Sequence, residues 1–158
     1  MEINILQGKE GASLAQGLAV IIDVYRAFTL ECYAFAAGCE AIVPVGDLDE
    51  ALKLKNRHPD WLFIGERGGA ITPGADFGNS PADIRDADLA GKTLIHTTSA
   101  GTQGLDRAKT AADTVITASF VNARAVADYI RAESPETVSI VAMGEAGLRP
   151  TDEVKQPF

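Results

Sequence analysis

The sequence predicts an α/β protein in three layers, α/β/α, built on a mostly parallel, doubly wound sheet. Two patterns lead there. Short apolar runs alternate with longer stretches of helical periodicity between residues 3 and 143, and most of the short runs are apolar at nearly every position. A strand covered by helices on both faces needs apolar side chains on both, so it loses the in–out alternation of a half-exposed strand. Length supplies a third constraint, since 158 residues suit one domain. A (β/α)8 barrel takes ~250 residues and is not expected unless the sequence is a fragment.

In chain order, strands are expected at 3–6, 18–24, 41–45, 61–65, 93–96, 114–117 and 138–143, with helices at 26–37, 48–57, 103–112 and 122–133. The last helix shows the reasoning: Ala123, Val126, Ala127 and Ile130 recur at helical spacing, while Arg124, Asp128 and Arg131 fall elsewhere on the wheel. One connection breaks the rhythm. Residues 67–80 hold Gly68, Gly69, Pro73, Gly74 and Gly78, a glycine-rich loop of the length usually kept for function. It closes on Ser80-Pro81-Ala82-Asp83, a helix start with a capping serine, proline in the first turn and an acid at the third position. The tail from 147 to 158 has little periodicity and is expected to be extended or an interrupted element. The whole chain, 1–158, is expected to form a single α/β domain.

Hydrophobic residues make up 46% of the chain and charged residues 23%, the balance of an ordinary globular protein. Twenty-two acidic residues face fourteen basic ones, for a net charge of −8. A broad basic face for nucleic acid is therefore not expected, and an anionic ligand would need local cations, helix N-termini or a metal. Cys32 and Cys39 are too few for a disulfide framework or a zinc site and are expected as buried thiols. No apolar run reaches the length of a membrane span, and Met1-Glu2-Ile3-Asn4 lacks the features of a signal peptide. A cytoplasmic protein that does not bind membranes is the expectation.

In open parallel sheets, ligands bind beyond the carboxyl ends of the strands. The polar residues of this chain fall there repeatedly: Asp23 and Arg26 after the second strand, Glu66 and Arg67 after the fourth, Thr97, Thr98, Ser99, Gly101 and Thr102 after the fifth, Ser119 and Asn122 after the sixth, Gly144 and Glu145 after the seventh. Asp23 can bind a metal while Arg26 holds an anion, or Asp23 can cap a helix with Arg26 as its partner. Glu66 and Arg67 are either a surface ion pair at a turn or a charged pair delivered to a site by a buried strand. The segment from Thr97 to Thr102, dense in hydroxyls, suits a phosphate at a helix N-terminus, although Thr98 or Ser99 can equally cap that helix. It is neither a Walker loop nor a dinucleotide fingerprint. Asn79 and Ser80 fit a turn and a cap, Asn122 fits a cap, and His96 ends an apolar strand as a core or supporting histidine. No Ser-His-Asp order with a nucleophile elbow appears. The only metal chemistry left is a hard cation on carboxylates, with Asp23, Glu66 and an acid of Asp152-Glu153 as candidates.

Taken together, six segments resemble the 2-phosphosulfolactate phosphatase family. They are Val20-Ile21-Ile22-Asp23-Val24-Tyr25-Arg26-Ala27, Gly65-Glu66-Arg67-Gly68-Gly69, Asp76-Phe77-Gly78-Asn79-Ser80-Pro81, Gly91-Lys92-Thr93, Thr97-Thr98-Ser99-Ala100-Gly101-Thr102-Gln103 and Ala118-Ser119-Phe120-Val121-Asn122-Ala123. The resemblance implies an α/β/α fold and a magnesium-dependent hydrolase of small acidic phosphate monoesters, on the route to coenzyme M. Combined with the strand-end map, this gives expected catalytic roles for Asp23, Arg26, Glu66 and Arg67, and expected substrate contacts from Asn79, Ser80, Thr97, Thr98, Ser99, Gly101, Thr102, Ser119 and Asn122. The magnesium ligands would be Asp23, Glu66 and Glu153. Two departures stand out. Ala100 occupies a place where the family typically has Asn, and the chain carries only five residues beyond Pro150-Thr151-Asp152-Glu153, where the family continues. The chain is thus expected to be the N-terminal portion of a longer fold. The alternatives are a non-catalytic anion-binding module, an inactive family member, or a subunit of a homo-oligomer whose sheet edge another copy completes.

Overall fold

The structure is a computed structural model that describes residues 1–144. The tail expected at 147–158, with Glu153 in it, and Glu145 lie outside the described residues. Along the described residues the order is β1 (Glu2–Gln7), α1 (Gly8–Ala12), β2 (Leu18–Ile22), α2 (Ala27–Ala36), β3 (Ala41–Pro44), α3 (Leu48–Arg57), β4 (Leu62–Arg67), β5 (Ala70–Ile71), α4 (Pro81–Ile84), β6 (Thr93–Thr97), α5 (Gly101–Ala108), β7 (Thr114–Ala118), α6 (Ala123–Glu133) and β8 (Thr137–Ala142). All seven expected strands and all four expected helices are present. The short α1 and β5 are additions, and α5 begins and ends earlier than the sequence suggests.

The α/β architecture is mostly parallel and covered by helices on both sides, and its strands divide into two hydrogen-bonded sets. One has the order β1-β8-β2-β7, the other β3-β6-β4-β5. Every pairing is parallel except the hairpin β4–β5. The chain lays down β1 and β2, builds the whole second set, and then returns to complete the first with β7 and β8.

Register explains the continuous apolar runs. Val20 lies opposite Ile140 on one side and Ile116 on the other, and Ile21 lies between Val141 and Thr117. The face with Leu18, Val20 and Val138 packs with Val126 and Ile130 of α6. The opposite face, with Ala19, Ile21 and Val141, packs with Ala12 of α1 and with Leu105 and Ala108 of α5. Burying both faces of β2 removes any place for a polar residue until Asp23.

Helix α2 sits between the two cores. Ala27 and Phe28 belong to the cluster on the first sheet, Leu30 and Ala34 to the cluster on the second. Ala27, Phe28, Leu30, Glu31 and Ala34 are buried between the two cores, while Tyr33 and Phe35 of the same helix are exposed. No helix among the described residues is long and apolar enough to cross a membrane.

The glycine-rich connection opens as a β-hairpin. Arg67 pairs with Ala70 across a two-residue loop, and both loop residues, Gly68 (φ 59°) and Gly69 (φ 84°), have positive φ. Two-residue hairpin loops with that backbone match the twist of their strands, and glycine adopts it without a Cβ penalty. The expected helix start is present, with Pro81 opening α4 and Asp83 in its first turn, although the Ser80 hydroxyl makes no capping bond. The Ser80 carbonyl instead accepts from the Asp83 N–H at 3.0 Å. Cys39 is buried, Cys32 is half-buried, and burial pushes both thiols above their ordinary value.

Candidate active site

Beyond the carboxyl ends of β2, β4, β6 and β8 lies a cleft of about 300 Å³, lined by Asp23, Tyr25, Arg26, Glu66, Gly68, Gly69, Asn79, Ser99, Ala100 and Gly144. The two sheets meet here: Asp23 leaves the first, while Glu66 and Ser99 leave the second. Strand-end convergence was legible in the sequence; that it joins two sheets was not.

Asp23 sits where two helices begin. One carboxylate oxygen accepts from the Ala27 N–H at 3.2 Å and the other from the Gly101 N–H at 2.9 Å, so one side chain serves the first residues of both α2 and α5. A Cβ on residue 101 would lie 2.9 Å from that Asp23 oxygen and 2.9 Å from the Phe28 ring, so only glycine lets the two helix starts approach so closely. Burial pushes the Asp23 carboxyl above its ordinary range. The two N–H donors oppose that rise, and the Glu66 charge adds to it.

Glu66 is held by donors on both oxygens. Oε1 accepts from the Gly69 N–H at 2.6 Å and the Ser99 hydroxyl at 3.0 Å, and Oε2 accepts from the Ser99 N–H at 3.1 Å. Gly68 N–H in turn donates to the Ser99 hydroxyl at 2.9 Å, which ties the hairpin loop to the β6–α5 turn. Burial alone would push the Glu66 carboxyl up. The Gly69 and Ser99 donors, with the neighbouring Arg67, outweigh it and hold the group below its ordinary value.

The remaining expected residues divide. Arg26 lines the cleft and stacks over the Tyr25 ring at 5.6 Å; its carbonyl accepts from the Leu30 N–H at 3.0 Å, while its guanidinium has no hydrogen bond or ion pair among the described residues. Asp23 does cap a helix, as one of the two readings held, but it does so without Arg26. Arg67 turns the other way. Its guanidinium donates to the carbonyls of Glu66 (2.7 Å) and Gly46 (2.8 Å) and to the Thr97 hydroxyl (2.7 Å), and it lines a separate depression with Asp47, Gln103 and Arg107. Thr98 and Thr102 are fully buried and bond to each other, the Thr98 N–H reaching Thr102 Oγ1 at 2.8 Å and the Thr102 N–H reaching Thr98 Oγ1 at 3.2 Å. The N–H groups of residues 98, 99, 101 and 102 therefore all have protein acceptors, and the anions at this helix start are the carboxylates of Asp23 and Glu66. Ser119 and Asn122 brace the β7–α6 turn, with the Ser119 N–H on Asn122 Oδ1 at 2.7 Å, and neither lines the cleft. Ser80 is half-buried at the start of α4 and is not among the lining residues either.

Sequence reasoning missed Tyr25 in the lining, and it named Ala100 only as a departure from the family pattern. It also missed Glu31, whose buried carboxylate bonds His96 Nδ1 at 2.9 Å, the other ring nitrogen lying 3.3 Å from Asn79 Oδ1. A glutamate in an otherwise apolar helix was the available signal.

Asp23 and Glu66 offer oxygen donors alone, the type a hard divalent cation takes. Magnesium is commonly held by one or two carboxylates completed by water and substrate phosphate. Among the described residues no group of three His, Cys, Asp or Glu side chains could hold a metal. As a donor set, two carboxylates are of the kind a hard cation takes when water and substrate complete its coordination.

Fold and cleft together define an α/β protein with an acidic ligand cleft, flanked by an arginine, at the carboxyl ends of its strands. The 2-phosphosulpholactate phosphatase family profile matches residues 4–154, and the chain belongs to that family. A probable 2-phosphosulfolactate phosphatase of Carboxydothermus hydrogenoformans is 44% identical over 131 residues, covering 82% of this chain and 54% of the relative. Proteins of the same name from Parasynechococcus marenigrum and Picosynechococcus are 39% and 41% identical, covering 86% and 82% of this chain and 57% and 54% of theirs. The chain thus spans little more than half the length of the curated relatives it matches.

Proposed function

We propose that the chain carries the reaction cleft of a magnesium-dependent phosphatase for a small acidic phosphate monoester, 2-phosphosulfolactate or a close analogue. The observation that carries this reading is the convergence of Asp23, Glu66 and Arg26 on one cleft, in a chain whose family is named for that reaction. Arg26 neutralises an incoming oxyanion, and its guanidinium geometry suits phosphate or a second acidic group of the substrate. Asp23 and Glu66 hold the cation, their orientations fixed by backbone donors before any ligand arrives. Once bound, magnesium would supply Lewis-acid polarisation of a phosphoryl oxygen. Burial raises the Asp23 carboxyl above its ordinary value, while the Gly69 and Ser99 donors and Arg67 hold the Glu66 carboxyl below its own. Arg67 supports Glu66 from behind through its carbonyl and contributes no direct substrate contact. This arrangement also reconciles a net charge of −8 with an anionic substrate, because the cation and Arg26 act locally.

The test is phosphate release from 2-phosphosulfolactate with magnesium and with chelator. Magnesium-dependent turnover is expected, falling about 10²–10³-fold in Arg26→Ala, the range seen when one charge-stabilising donor is removed. Equal background rates under both conditions would overturn catalysis. Binding of phosphate without turnover would instead favour the anion-binding module.

A further inference from the structure

The cleft has a buried support that the proposed chemistry does not use. His96 is completely buried in β6, the strand between β3 and β4, and both its ring nitrogens are engaged. Nδ1 lies 2.9 Å from Glu31 Oε1 on α2, and Nε2 lies 3.3 Å from Asn79 Oδ1 in the loop before α4. Glu31 is itself buried, so its carboxyl depends on this ring for a partner. An amide oxygen only accepts, so the proton in the contact with Asn79 belongs to Nε2. A second proton lies between Nδ1 and Oε1, whichever atom carries it, because two bare acceptors would repel at that distance. The Asn79 oxygen is therefore spent inward. Its NH2 group has no partner among the described residues, and Asn79 lines the cleft beside Arg26 and Asp23.

We propose that Glu31 and His96 are positioning residues that keep the Asn79 amide turned with its oxygen toward the ring and its NH2 toward the cleft, as a donor to a bound oxyanion. The inference rests on the phosphatase reading for the identity of that anion, and on the hydrogen-bond chain for the orientation of the amide. A neutral donor at this point supplements Arg26 without adding charge next to the two carboxylates. Were Nε2 bare, the amide would reverse and present its oxygen to the substrate's own oxygens, an unfavourable contact.

Two measurements test it. Nitrogen-15 spectroscopy of the unmodified protein, with His58→Gln to assign the only other histidine, is expected to show a protonated Nε2 on His96. A bare Nε2 overturns the inference whatever the phosphate data show. Calorimetric titration with inorganic phosphate supplies the second measurement. Asn79→Ala is expected to weaken binding about 10–100-fold, the range for one hydrogen bond to a charged group. The double variant Glu31→Leu/His96→Phe removes both buried polar groups together and so orphans neither; it too is expected to weaken phosphate. Adding Asn79→Ala to that double variant should then cost nothing further, because the pair acts only through Asn79. Additive losses, or a double variant that binds phosphate like the parent, overturn it. If the parent protein binds no phosphate, the phosphatase reading falls, and the ring measurement still decides the orientation of the amide.

Discussion

Asp23 and Glu66 show how one residue type is given two characters by its surroundings. Both are buried, and both accept backbone N–H bonds, yet one carboxyl is raised and the other lowered. Desolvation weighs more heavily on Asp23, and Glu66 adds a third donor, the Ser99 hydroxyl, and the charge of Arg67. A carboxyl whose folded value is depressed contributes stability above its unfolded value and loses it as pH falls through the folded one. The stability advantage of the parent over Glu66→Gln should therefore be full well above pH 4.5, the ordinary value of a glutamate, and shrink as pH falls below it. Near neutrality the gap should be about 1–3 kcal/mol, since Gln turns an acceptor into a donor facing a buried N–H or hydroxyl. Denaturant unfolding at a series of pH values measures it, and a gap that stays constant into acid would refute the assignment.

At the level of elements, the β4–β5 hairpin is the device that holds Glu66. Its glycine loop supplies one N–H to Glu66 and another to Ser99, so a turn in the chain becomes a clamp on the cleft. A Cβ on Gly69 would meet nothing within 4 Å, so Gly69→Ala tests the backbone alone. With φ at 84°, the substitution should cost about 1–2 kcal/mol, read as a lower melting temperature with fold retained. An unchanged melting temperature would mean that the loop tolerates another conformation. This hairpin was hidden in the sequence because its strands are short, and β5 has only two residues. The glycine pair between Arg67 and Ala70 was the signal. The long apolar runs were legible for the opposite reason: burial of both faces fixed their composition. Pairings such as Glu31 with His96, 65 positions apart, leave no local trace at all.

The molecule as a whole depends on α2, which closes both cores. Leu30 is completely buried against the second sheet, and Phe28, two residues away, is completely buried against the first. Leu30→Ala should cost about 2–5 kcal/mol. Hydrogen exchange should then quicken in β2 and β8 as well as in β4 and β6. Loss of protection confined to the β3–β6 set would show that the two halves open independently. The division into two sheets was not legible, because parallel strands carry no mark of their neighbours. Strand-end polarity was, and it placed Asp23, Arg26, Glu66 and Ser99 together, while Ser119 and Asn122, grouped with them by the same rule, brace the β7–α6 turn outside the cleft lining.

The interleaved topology also has a temporal consequence. β2 finds its partners only in β7 and β8, roughly a hundred residues downstream, whereas β3 to β6 can pair among themselves with shorter closures. On a ribosome, the inner group can condense while β1 and β2 still wait, unpaired, for strands not yet made. Asp23, at the end of β2, is therefore expected to reach its place only after β7 and β8 have paired with that strand.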